Sequence, residues 1–245
     1  MNTHIQSGPR VAAIVGTYLS GKTTLLESLL VASGTLHRKG TVKEGNSTGD
    51  SSQEARARNM STELNLAHAT YLDEEWTFID CPGSVELSQD SLNALMISDT
   101  IIVVTEATPD KVVAVAPILK ALDDYDIPHM IFINKMDHPD LSVRATLESL
   151  QNLSSHPLVL REIPIREGEK ITGFVDLVSE RAFRWQEGKP SDLIALPDSV
   201  TDREQEARTG MLESLADYDD HLLEELLEDV VPSSSEVYEN MTKDI

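Results

Sequence analysis

Short apolar runs alternate with amphipathic stretches over the first 150 or so residues. Val11-Ala12-Ala13-Ile14-Val15 is continuously apolar and stops at Gly16, the pattern of a buried strand. Over 22–32, Leu25, Leu26, Leu29 and Leu30 share one face of a helix. Residues 66–72 and 76–79 predict two strands about a turn at Asp73-Glu74-Glu75. Strands are predicted at 101–104 and 130–133, and helices at 87–97, 111–122 and 141–153. Residues 34–59 are polar and glycine-rich and predict a long mobile loop. Such alternation predicts an α/β fold, a mostly parallel sheet with helices on both faces. The pattern changes after Pro157. Short antiparallel strands are predicted at 159–165, 171–178 and 182–186, then a proline-punctuated linker, then acidic helices at 202–216 and 220–231. The chain therefore divides near residue 155.

Charge adds a second feature. The 245 residues carry a formal net charge of −22, and residues 196–245 hold 15 acidic side chains against 3 basic ones. A chain this acidic is poorly suited to electrostatic binding of nucleic acid or of an anionic membrane. Residues 36–58 run the other way, with Arg38, Lys39, Lys43, Arg56 and Arg58. No run approaches the ~20 apolar residues that span a bilayer, and the first ten residues have no apolar core. Cys81, the single cysteine, permits no internal disulfide. These features predict a cytoplasmic protein with no membrane partner.

Three motifs fall at the ends of predicted strands. Gly16-Thr17-Tyr18-Leu19-Ser20-Gly21-Lys22-Thr23 fits G-x-x-x-x-G-K-[ST] between a strand and a helix, the context of a phosphate-binding P-loop. Its glycines let backbone N–H groups wrap a phosphate, Lys22 adds a full charge, and the Thr23 hydroxyl can ligate Mg²⁺. Asp80-Cys81-Pro82-Gly83 offers a carboxylate for Mg²⁺ and a Gly83 N–H for a γ-phosphate. In Asn134-Lys135-Met136-Asp137, the Asp137 carboxylate can accept two N–H bonds from the N1/N2 edge of guanine, a donor pair adenine lacks. In an open α/β sheet ligands bind at the carboxyl ends of the strands, so one Mg²⁺–guanine nucleotide can touch all three motifs.

The order of these motifs is that of guanine-nucleotide switch proteins. Residues 36–63, with Lys39-Gly40-Thr41-Val42-Lys43-Glu44-Gly45 and then Arg58-Asn59-Met60-Ser61-Thr62, resemble the first switch region of elongation factor G. The stretch after residue 155, with Gly173-Phe174-Val175-Asp176 and Phe183-Arg184-Trp185, resembles that family's inserted subdomain. The chain is similar to the N-terminal GTP-binding domain of an elongation-factor-G-like translational GTPase. The resemblance implies a GTP-binding P-loop domain at 1–155, an inserted α+β subdomain at 156–231, and a tail at 232–245 leading to a last strand beyond Ile245. It implies that GTP or GDP is cradled by residues 16–24, including Thr24, with Mg²⁺ at Thr23, Ser61 and Asp80. Asn134, Lys135 and Asp137 would read guanine. Lys22, Gly83 and Ser84 would flank the hydrolysed bond. The implied partner is the ribosome, its large-subunit RNA and proteins, met as a monomer.

Departures from the family accompany the resemblance. Ser84 stands where the family has the histidine that orients the attacking water, Leu19 where it has an aspartate, and Asn59 where it has a glycine. Two alternatives follow: a GTP-sensing module that does not hydrolyse, or a ribosome-protection or release-factor-type GTPase of the same superfamily.

Overall fold

The computed structural model describes residues 10–50, 52–137, 141–228 and 230–243. The first apolar run becomes β1 (Arg10–Gly16), buried from Ala12 to Gly16. It lies at the centre of a five-stranded sheet of order β2-β3-β1-β4-β5. Here β3 is Glu74–Asp80, β4 is Thr100–Glu106 and β5 is His129–Asn134. β1 pairs parallel with β3 and β4, and β4 with β5. β2 (Asn65–Tyr71) is the antiparallel edge. The β2–β3 turn is tighter than the sequence pattern predicts. It uses only Leu72 and Asp73, both left-handed (φ 52° and 63°), the conformation that matches the twist of a two-residue hairpin.

Helix α1 (Lys22–Ala32) lays Leu26 and Leu30 against Ala12, Ile14, Phe78 and Val104 on one face of this sheet. The predicted mobile loop contains a helix, α2 (Gln53–Arg58). The Ser52 hydroxyl accepts from the Ala55 N–H at 3.2 Å and caps it, and Asn59 closes it in a left-handed conformation. A 3₁₀ turn over Val85–Leu87 leads into α3 (Ser88–Leu95). The helix expected over 111–122 is two helices, α4 (Pro109–Ala114) and α5 (Ala116–Tyr125). Pro117 has no N–H and its ring would strike the carbonyl one turn earlier, so it fits only in the first turn of a new helix.

The chain forms two compact units, residues 1–135 and 136–245. Helix α6 (Val143–Gln151) is grouped with the second unit, although it precedes the change of sequence pattern near 155. That unit has an antiparallel sheet of order β6 (Glu162–Glu167), β7 (Lys170–Asp176), β8 (Arg181–Arg184) and β9 (Asp192–Ile194). Strand β9 falls in the stretch read as a linker. Helices α7 (Asp198–Ala216), α8 (Asp220–Leu227) and α9 (Ser234–Lys243) complete the unit. Ile165, Val175, Leu177, Met211, Leu222 and Val237 meet in its core. The residues read as a tail therefore form a helix whose Val237 is fully buried.

Leu222→Ala removes a fully buried side chain of α8 and should cost about 2–5 kcal/mol. Urea unfolding measures this; a loss below the low end would mean that α8 is not held by this core.

Candidate nucleotide-binding site

The loop between β1 and α1 folds around a buried lysine. Lys22 is 6% exposed, and its ammonium donates to the Thr17 carbonyl at 2.9 Å. Burial pulls its pKa below the ordinary lysine value, while the nearby carboxylates of Asp80 and Asp50 pull it back up. Close packing excludes a side chain at three glycines, Gly16 and Gly21 in the loop and Gly83 facing it. A Cβ on Gly83 would lie 2.3 Å from the Lys22 Nζ and 2.8 Å from the Thr17 oxygen. A Cβ on Gly21, which is left-handed (φ 98°), would lie 2.3 Å from the Asn134 amide nitrogen. Leu19 is also left-handed (φ 61°) and exposed. A side chain there costs roughly 1–2 kcal/mol, and the aspartate of the resembled family tolerates that conformation better. Tyr18 and Thr24 are exposed beside the loop.

Opposite Lys22 stands a fully buried carboxylate. Asp80, the last residue of β3, accepts from the Thr23 hydroxyl at 2.5 Å. The same hydroxyl lies 3.3 Å from the Ser61 hydroxyl. Burial pushes the Asp80 carboxyl up to about 6, against the lowering effects of the Thr23 bond and the Lys22 charge. Its second oxygen, Oδ1, is buried with no hydrogen-bond partner among the described residues, as are Thr17 Oγ1, Ser20 Oγ and Asp50 Oδ2. Unpaired buried oxygens are costly and uncommon. Here they line a phosphate loop and its facing carboxylate, so this donor set fits a hard cation such as Mg²⁺ with its water and phosphate ligands.

Asn134 and Lys135 reach the loop from the end of β5. The Asn134 amide donates to the Ser20 carbonyl at 2.8 Å, and the Lys135 ammonium donates to the Leu19 carbonyl at 2.7 Å. Lys135 also pairs with Glu106 at 2.9 Å. The structure thus brings together residues 16–23, Ser61, Asp80, Gly83, Asn134 and Lys135. Asp137 is exposed and falls two residues later, at the start of the second unit. Ser84 follows Gly83 and donates its hydroxyl to the exposed Glu86 carboxylate, which lowers the Glu86 pKa.

Sequence reasoning passed over two residues. Asp50, in the polar loop, is buried and left-handed (φ 54°), and its Oδ1 accepts from the Asn65 amide at 3.2 Å. No periodicity marks it. Glu27 is 1% exposed, and it did leave a signal, because 23, 27 and 30 share the inward face of α1. Outside this site, His221 lies 3.3 Å from Glu236 and 4.0 Å from Glu225 in the second unit, although the histidines show no ligand spacing in the sequence.

A central parallel sheet, a glycine-gated lysine loop and a facing buried aspartate define a P-loop nucleotide-binding domain. The chain matches the elongation factor Tu GTP binding domain over residues 9–240 and belongs to that family of GTPase domains. It is 46% identical over 97% of its length to an elongation factor G-like protein of Synechocystis, covering 35% of that protein. It is 30% identical to a mitochondrial ribosome-releasing factor 2 of Danio rerio, over 85% of this chain and 29% of that one. A crystal structure from Thermus thermophilus superposes with a TM-score of 0.85 at 28% identity, over 94% of this chain and 34% of that one. The chain therefore spans about a third of the length of the relatives it matches.

Cys81 is fully buried beside Asp80, and burial pushes its thiol up to about 12. The nucleophilic thiolate is then only about 10⁻⁴ of the total at pH 8. A thiol reagent should leave the folded chain unlabelled and titrate one thiol in guanidinium; prompt labelling of the native chain would contradict this placement.

Proposed function

We propose that this chain is the GTP-binding domain of an elongation-factor-G-like translation factor, an Mg²⁺–GTP switch that hydrolyses GTP on the ribosome. The observation that carries the reading is the Lys22–Thr23–Asp80–Ser61 cluster, with its orphaned Asp80 oxygen. Backbone N–H groups of residues 16–24 and the Lys22 ammonium bind and orient the phosphates. Thr23, Ser61 and Asp80 hold Mg²⁺, with Asp50 adding a nearby charge. The bound cation supplies charge stabilisation for phosphoryl transfer. The Gly83 N–H reports the γ-phosphate, and Asn134, Lys135 and Asp137 read guanine. Residues 1–155 form the nucleotide domain, with 156–231 inserted in it.

Ser84 carries a second reading. Its neutral hydroxyl, donated to Glu86, orients water less well than a histidine and cannot become cationic. Hydrolysis is then slow, and GTP acts chiefly by holding a conformation. Ser84→His should raise ribosome-stimulated turnover by up to about 10²-fold. No rise would remove this explanation of slow turnover.

Titration calorimetry with Mg²⁺ should show binding of GTP and GDP but not ATP. Asp137→Asn should weaken GDP binding by about 10- to 100-fold, because a charged acceptor is lost. Equal affinity for ATP, or an Asp137→Asn variant that binds GDP normally, would refute the guanine assignment.

Proton competition gives an independent check. With the Asp80 carboxyl near 6, Mg²⁺ finds a carboxylate above that pH and must displace a proton below it. Apparent Mg²⁺ affinity should be flat above pH 7 and fall roughly tenfold per unit below about 6. A flat profile to pH 5 would remove Asp80 from the cation site.

A further inference from the structure

Glu27 is a buried carboxylate on α1 that contacts no residue of the phosphate loop among its described hydrogen bonds. Its two oxygens instead hold two backbone amides of the following loop. Oε2 accepts from the Gly40 N–H at 2.7 Å and Oε1 from the Thr48 N–H at 2.5 Å. Residues 40–48 between these points are tied to one another. The Thr41 N–H donates to the Asn46 side chain at 2.7 Å, the Glu44 N–H to the Thr41 hydroxyl at 3.2 Å, and the Gly45 N–H to the Val42 carbonyl at 3.1 Å. The neck is tight, since a Cβ on Gly40 would lie 2.5 Å from the Asn46 oxygen. The Lys39 ammonium adds a bond to Ser28 of the same helix at 2.6 Å.

Beyond Thr48 the attachments change character. Asp50 is tied to Asn65 of β2, and Ser61 to the Thr23 hydroxyl inside the candidate cation site. Ser61 can therefore feel a nucleotide directly, whereas Gly40 and Thr48 are tied to the body of α1. Lifting 40–48 would break two charge-assisted bonds and leave a carboxylate to be resolvated.

We propose that Glu27 is a positioning residue that staples residues 40–48 to α1, so that the nucleotide-responsive part of the switch begins only beyond Thr48. This rests on the switch reading above and moves the start of the responsive segment from residue 36 to beyond residue 48. The staple holds one half of the segment still in both nucleotide states and gives the other half a fixed anchor.

Amide hydrogen exchange tests this, comparing Mg²⁺–GDP with Mg²⁺ and a non-hydrolysable GTP analogue. In the wild-type chain, Gly40 and Thr48 should stay protected with either nucleotide, and the difference should be confined to residues beyond 48. In Glu27→Gln, one acceptor and the charge are lost. Those two amides should then exchange about tenfold faster or more, and the nucleotide response should spread back into 40–48 with GDP affinity unchanged. Gly40→Ala opens the same neck from the loop side and should reproduce the effect with α1 untouched. Wild-type exchange in both variants, or a wild-type 40–48 that responds as strongly as 52–62, would overturn the proposal. A wild-type chain with no nucleotide-responsive segment would refute the switch reading and this boundary with it, while faster exchange in Glu27→Gln would still report the staple separately.

Discussion

A lysine ammonium held inside the protein is the constraint on which the rest of the first unit depends. Lys22 cannot stay charged in that position without oxygen around it. The Thr17 carbonyl supplies one contact, and Asp80 and Asp50 supply field. Each of these has a structural cause. The P-loop carries Thr17 back over the ammonium. Strand β3, paired beside β1, delivers Asp80 at its carboxyl end. Gly83 has no side chain, so the turn after β3 can lie where a Cβ would come within 2.3 Å of the ammonium. The parallel sheet, the glycine pattern and the acidic residue facing the loop are one solution to one electrostatic problem.

That solution leaves charge unbalanced in a useful way. Asp80 uses one oxygen on Thr23 and has no partner for the other among the described residues, and burial, with a smaller push from the Asp50 charge, raises its carboxyl to about 6 against Thr23 and Lys22. A site that strains toward protonation at rest gains when a cation arrives, because the carboxylate is then stabilised without a proton. The Thr23 hydroxyl, shared between Asp80 and Ser61, links the same spot to the segment just after the polar loop of residues 34–59. In the proposed switch, this contact is what couples binding at the cation position to ordering of the segment that carries Ser61.

Much of this was legible in the sequence, because the features that place the site are local. An apolar run followed by a glycine-lysine loop marks β1, the P-loop and α1 together, and strand ends locate Asp80 and Asn134. Less legible were features set by contacts distant in sequence. Helix α2 depends on the Ser52 cap and on Asn59 accepting a left-handed conformation, a role in which asparagine is the nearest substitute for glycine. Asp50 is buried only because the loop folds back to Asn65. The short β9 and the helix over Ser234–Lys243 gain their order from the second unit's core, with Val237 as the contact that a polar segment hides. The division of α4 from α5 was readable from Pro117, but helical periodicity runs through it unbroken.

The central claim is that residues 16–24, Ser61 and Asp80 form one site for a guanine nucleotide and its Mg²⁺. A crystal structure of the chain with Mg²⁺ and a non-hydrolysable GTP analogue tests it most directly. The account predicts phosphates within the loop of residues 16–24, the cation against Thr23 with Ser61 and Asp80 around it, and the guanine edge on Asp137. Phosphates bound elsewhere, or a cation that leaves Thr23 and Asp80 bonded to each other as they are now, would contradict it.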